Sequence, residues 1–148
     1  MSYNVFTYGT LMSDGTFRAM TNATMDEMSE IEPTTAVLFF FRRHGVVRAG
    51  FPAIVQGGQG DSVVGVLWQG VTDKMLARLD QYEGVPTLYT REEVAVTLPD
   101  GTQKDAFVYV WGKEGSRGLD SQDWMQGDLL AMMHKGYDDC KMIQRDSL

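Results

Sequence analysis

The sequence predicts an α+β domain whose sheet is mixed or largely antiparallel and able to curl into a barrel. Three observations carry this. About six short segments are rich in β-branched and aromatic residues. They do not alternate regularly with helical patterns, which argues against a doubly wound parallel sheet. Pro99-Asp100-Gly101, between two such segments, is a hairpin-type turn.

The elements follow in chain order. Residues 3–8 read as a strand that stops at Gly9. Residues 14–31 are mixed, with Met20, Met25 and Met28 as apolar marks, and read as a short helix or an irregular excursion. Residues 35–41 are apolar on both faces, the pattern of a buried strand. Residues 51–55 read as a strand beginning at Pro52, where no ladder donor is needed. Residues 56–61 form a glycine-rich loop, and 63–69 form a strand. Thr72 N-caps the clearest helix, with Asp73 in its first turn. Met75, Leu76, Leu79 and Tyr82 give it one apolar stripe, and Gly84 closes it. Leu88 to Leu98 and Gln103 to Trp111 alternate as the two arms of a hairpin. A last helix is predicted from Ser121 to about Lys135, with a polar, loosely held tail over 136–148.

The chain has 148 residues, the size of one domain, so 1–148 is read as a single unit. The formal net charge of −7 gives a field that repels nucleic acids and anionic membranes. No apolar run is long enough to span a bilayer. Cys140 is the single cysteine, so no intramolecular disulfide forms, which fits a reducing, cytoplasmic setting. Metal chemistry finds no ligand cluster: His44 and His134 read as ordinary, partly exposed residues. Nor does the sequence hold a nucleophile elbow or a phosphate loop.

Glu83 is the unusual residue. It falls in the last turn of its helix, at the negative end of the macrodipole, where a cation is preferred. It is either a solvated helix-end glutamate or, with a raised pKa, a general base near neutral pH. Its residue type and position leave both readings open.

Several segments together decide more. Tyr8-Gly9-Thr10-Leu11 follows the first strand, and Phe51-Pro52-Ala53-Ile54-Val55 comes later. A V-x-G-x-L-W strand spans residues 63–68; Leu79-Asp80-Gln81-Tyr82-Glu83-Gly84 precedes a Y-x-R-x-x-V-x-V segment at residues 89–96. In this order and separation, residues 4–111 resemble the γ-glutamylcyclotransferase-like superfamily. The resemblance is to the branch of AIG2-like proteins and γ-glutamylamine cyclotransferase.

The resemblance implies a small barrel flanked by helices. It places Tyr8, Gly9, Thr10 and Leu11 in a substrate-binding loop, Glu83 as the catalytic carboxylate and Tyr89 in the pocket wall. Arg91 is implied as a pocket residue or an ion-pair partner, and Tyr109 as a pocket or core residue. The implied reaction converts a γ-glutamyl amide or amine into 5-oxoproline and a free amine. The substrate's own α-amine attacks its γ-carbonyl, so no protein nucleophile, metal or cofactor is required. Holding the reacting atoms in attack geometry is worth about 7–11 kcal/mol. Relatives selective for glutathione or γ-glutamyl amino acids often carry serine in this loop, where this chain has Thr10, so neither specificity is implied. Residues 14–31 and 112–120 are expected to border the pocket mouth. The competing readings are a non-catalytic small-molecule binding module on the same scaffold, and an interaction protein using adaptable methionines. The oligomeric state is left open.

Overall fold

The computed structural model describes residues 2–47, 51–113 and 117–119. The helix predicted over 121–135, the tail, His134 and Cys140 lie outside these residues.

The first strand, β1 (Ser2–Thr7), runs through a single 3-10 turn (Thr10–Met12) into helices α1 (Asp14–Thr21) and α2 (Met25–Ser29). Strands β2 (Glu32–Phe39), β3 (Phe41–Gly45), β4 (Pro52–Gln56) and β5 (Ser62–Thr72) follow. Helix α3 (Asp73–Glu83) and strands β6 (Tyr89–Thr97) and β7 (Gln103–Trp111) complete the described fold. Five strands close into a barrel in the order β1-β5-β2-β6-β7, while β3 and β4 form a separate two-stranded sheet. The barrel pairs are antiparallel except β1 with β7, which is parallel and closes the ring. The expected α+β barrel with a mixed, mostly antiparallel sheet is therefore the fold observed.

Alternation along the strands divides the apolar residues into two cores. One face gives Phe6, Leu38, Leu67, Val96 and Val108 to a cluster drawing on all five barrel strands, joined by Ile54 of β4. The opposite face gives Val5, Trp68 and Tyr109 to a second core that takes in α1 and α3. There Phe17 of α1 stacks on Trp68 at 4.1 Å between ring centroids, both fully buried. Burying each ring stabilises the fold by about 1.5–3 kcal/mol. The Trp68 Nε1–H donates to Thr7 Oγ1 at 2.8 Å, which ties this core to the end of β1.

Helix α3 forms where expected. Thr72 Oγ1 accepts from the Met75 N–H, and Gly84 closes the helix in the left-handed conformation at φ 66°. Met75, Leu76 and Leu79 are buried, but Tyr82 is 46% exposed. The apolar stripe ends one turn early because Tyr82 turns toward a surface opening instead of the core.

Three expectations are corrected. Residues 14–31 hold two helices, the second opened by a capping box in which Thr24 and Glu27 satisfy each other's backbone N–H. The run 35–41 is not one buried strand. Phe40 adopts φ 71°, its N–H bonds to the Asp61 carbonyl and its own carbonyl receives the Gly57 N–H. This reversal leaves Phe39 and Phe40 exposed and starts β3 at Phe41. His44, read as partly exposed, is buried in β3 opposite Ala53, with Nδ1 unpartnered.

Candidate functional site

Five elements, β1, α3, β4, β6 and β7, converge on a pocket of about 210 Å³. The end of β1 and the following turn supply Tyr8, Gly9, Thr10 and Leu11. The C-terminal end of α3 supplies Tyr82 and Glu83, β6 supplies Tyr89 and β7 supplies Tyr109. Phe51 and Pro52 form the facing wall at the start of β4. Of the residues singled out in the sequence, only Arg91 is absent from the lining. Its Nη1 pairs with Asp80 Oδ2 at 2.5 Å, and its guanidinium lies 4.7 Å over the Phe107 ring.

The loop is held from several sides. The buried Arg43 Nη1 donates to the Tyr8 carbonyl at 3.0 Å. Tyr8 Oη donates to the Tyr109 carbonyl at 2.6 Å, joining loop to β7. Tyr89 Oη donates to the Pro52 carbonyl at 2.6 Å, joining β6 to the facing wall. Gly9 sits at φ −133°, so positive φ is not what it provides. A Cβ there would lie 2.7 Å from Pro52 Cγ, well inside contact distance. The close approach that requires glycine is made by the protein's own proline, one of the pocket walls.

Among the described residues, Glu83 is the only charged side chain in the lining. Burial pushes its carboxyl up from 4.5 to about 7, and among the described residues no hydrogen bond or charge pulls it back. Tyr89 and Tyr109 are also pushed up, first by burial; the Glu83 charge adds to this at Tyr89, and at Tyr109 the hydrogen bond and charge of Asp80 add to it before that of Glu83. Tyr8 is raised first by burial, then by Tyr89 and Glu83, against the smaller pull of an Ile54 backbone hydrogen bond and of Arg43. Among the described residues no group of three or more His, Cys, Asp and Glu side chains could hold a metal ion. No helix among them is long and apolar enough to cross a membrane.

Chain similarity converges with this geometry. The model of the family described as gamma-glutamyl cyclotransferase, AIG2-like, matches residues 5–126. The chain belongs to that family. Among curated relatives of this gamma-glutamyl cyclotransferase family member, AIG2-like protein D of Arabidopsis thaliana is 32% identical over 130 residues, covering 84% of this chain and 80% of that protein. Among solved structures, an Arabidopsis thaliana protein determined in solution superposes with a TM-score of 0.71 at 24% identity, covering 99% of this chain and 84% of that one. A structure described as gamma-glutamyl cyclotransferase superposes with a TM-score of 0.65 at 20% identity, covering 95% and 87%. At these identities the superpositions establish the shared fold.

Sequence reasoning missed part of the site. Phe51, Pro52, Tyr82 and Leu88 also line the pocket, and Asp80 organises Tyr109 and Arg91 behind it. Phe51 and Pro52 stood inside a quoted segment but carried no chemical signal. Residues 14–31, expected at the mouth, contribute nothing to the lining. Helix α1 instead packs on the outer core through Phe17.

Proposed function

We propose that this protein is a γ-glutamylcyclotransferase that releases 5-oxoproline from a γ-glutamyl amide or amine, with Glu83 as general acid and base. The observation that carries this reading is a carboxylate, single and unpartnered among the described residues, poised near neutrality in a pocket faced by the Gly9 loop. A Glu83 carboxylate takes a proton from the substrate's α-ammonium, leaving a neutral amine. That nitrogen attacks the γ-carbonyl carbon of the same molecule and forms the five-membered ring. The tetrahedral oxyanion then collapses, the bond to the leaving nitrogen breaks, and Glu83 returns the proton to that nitrogen. Water is neither consumed nor produced.

Met12 is the first donor within the 3-10 turn, its N–H bonding to the Gly9 carbonyl at 3.0 Å. The N–H groups of Gly9, Thr10 and Leu11 precede it and have no acceptor inside that turn. They are suited to the substrate's oxygens, as aligned backbone N–H groups are in other oxyanion sites. Among the described residues the lining holds no cationic side chain. The reaction needs no cofactor or metal, and the single cysteine fits its placement in the cytoplasm.

The test is release of 5-oxoproline across glutathione, γ-glutamyl amino acids, γ-glutamyl-ε-lysine and γ-glutamyl polyamines, measured against pH. Glu83 acts as a base only when ionised. With its carboxyl at about 7, kcat/KM is expected to fall tenfold for each pH unit below neutrality and to level off above it. An acid limb centred near pH 4–5, where an unperturbed glutamate titrates, would remove Glu83 from the role.

A further inference from the structure

Three of the tyrosines that line the pocket with Glu83, namely Tyr8, Tyr89 and Tyr109, have their protons committed elsewhere. Tyr8 and Tyr89 each bond to a backbone carbonyl, and Tyr109 bonds to Asp80 Oδ1 at 2.8 Å. Carbonyl and carboxylate oxygens carry no proton, so each phenol must be the donor. Tyr8 also receives the Ile54 backbone hydrogen bond. Free lone pairs therefore remain on Tyr89 and Tyr109, and neither phenol has a proton left for Glu83.

Asp80 controls this arrangement from outside the pocket. It stands one helical turn before Glu83 on α3, the spacing at which helix side chains are neighbours. Its two oxygens are divided between Tyr109 and Arg91. These two residues are direct partners across the β6–β7 ladder, so one carboxylate spans a whole cross-strand pair. Arg91 is pinned further against Phe107. Without Asp80, the Tyr109 proton could turn toward Glu83 and the Arg91 guanidinium would lose its anchor.

We propose that Asp80 is a positioning residue: by holding the Tyr109 proton and the Arg91 guanidinium away from Glu83, it leaves Tyr89 and Tyr109 as acceptors toward the pocket, a wall that favours an ammonium group beside Glu83. The inference rests on Glu83 being the base proposed above. The titratable groups lining the pocket with Glu83 are Tyr8 just after β1, Tyr89 from β6, Tyr109 from β7 and Tyr82 beside it on α3. Asp80 and Arg91 stand behind them.

The test follows Glu83 directly, by carbon NMR of protein labelled at the glutamate carboxyl, with the Glu83 signal assigned by its loss in Glu83→Gln. Wild type is expected to titrate near neutrality. In Asp80→Ala the midpoint is expected to fall by about one pH unit or more, as a released donor and a released cation stabilise the carboxylate. Adding Tyr109→Phe and Arg91→Met is expected to restore it. Asp80→Asn, which keeps an acceptor for Tyr109 but loses the hold on Arg91, shifts in the same direction by less. The acid limb of kcat/KM moves with the titration. An unchanged Glu83 midpoint in folded Asp80→Ala and Asp80→Asn overturns the proposal, as does a wild-type midpoint in the ordinary carboxylate range. Absence of 5-oxoproline from every substrate would instead overturn the cyclotransferase reading and leave the titration result standing.

Discussion

Glu83→Gln is expected to abolish 5-oxoproline release while making the protein more stable above neutral pH. The amide keeps the shape of the side chain but cannot take a proton, so the loss falls on turnover. General acid–base catalysis by one group is worth about 10²–10⁴-fold, and kcat/KM should drop by that factor. The stability gain follows from the same burial. The folded state raises the carboxyl from 4.5 to about 7, which favours the neutral form. Wild type therefore has its full stability below the unfolded value and loses stability as pH rises through 7. Glutamine carries no charge and escapes this loss. A gain of about 1–2 kcal/mol is expected at pH 8 and none at pH 4, less than full conversion of the shift would give, because water still reaches part of the side chain. Thermal melts at the two pH values measure it. Turnover unchanged in Glu83→Gln would remove it as the base.

Gly65→Ala is expected to be the most damaging single-methyl change in the barrel. A Cβ at residue 65 would lie 2.2 Å from the Thr7 carbonyl oxygen and 2.7 Å from Phe6 Cζ. The first is backbone of the neighbouring strand and cannot step aside without parting β1 from β5. The second is a fully buried ring in the inner core. Overpacking of this kind costs about 3 kcal/mol, which lowers Tm by roughly 6–12 °C for a domain of this size. Gly58→Ala, where an added Cβ meets nothing within 4 Å, is the control and should melt with wild type. Strand β1 delivers Tyr8 and Gly9 to the pocket, so Gly65→Ala should also raise KM. Equal melting of the two variants would show that β1 and β5 are not packed as described.

Much of this was legible in the sequence, for identifiable reasons. Helix α3 announced itself because its cap, apolar stripe and closing glycine are all local. Strands β6 and β7 were readable from alternation around a standard turn. Strand β3 was not, because Arg43 and His44 are polar residues that the fold buries. Arg43 is placed there by an acceptor from distant β1, the Tyr8 carbonyl, which no local pattern reveals. Tyr8, Gly9, Glu83, Tyr89 and Tyr109 were named in advance and meet in one pocket. That Gly9 packs against Pro52 was not legible, because the two meet only through the tertiary fold. Asp80 stood inside a quoted motif without a role, because its role depends on the register that sets Arg91 opposite Tyr109.

The central claim is that the substrate's own amine is the nucleophile and Glu83 only moves protons. The most direct measurement is turnover of a γ-glutamyl amine in ¹⁸O-labelled water, with both products weighed by mass spectrometry. The account predicts 5-oxoproline and free amine in equal amounts, with no ¹⁸O in the 5-oxoproline. Glutamate carrying ¹⁸O would mean that water attacks the γ-carbonyl, and would contradict it.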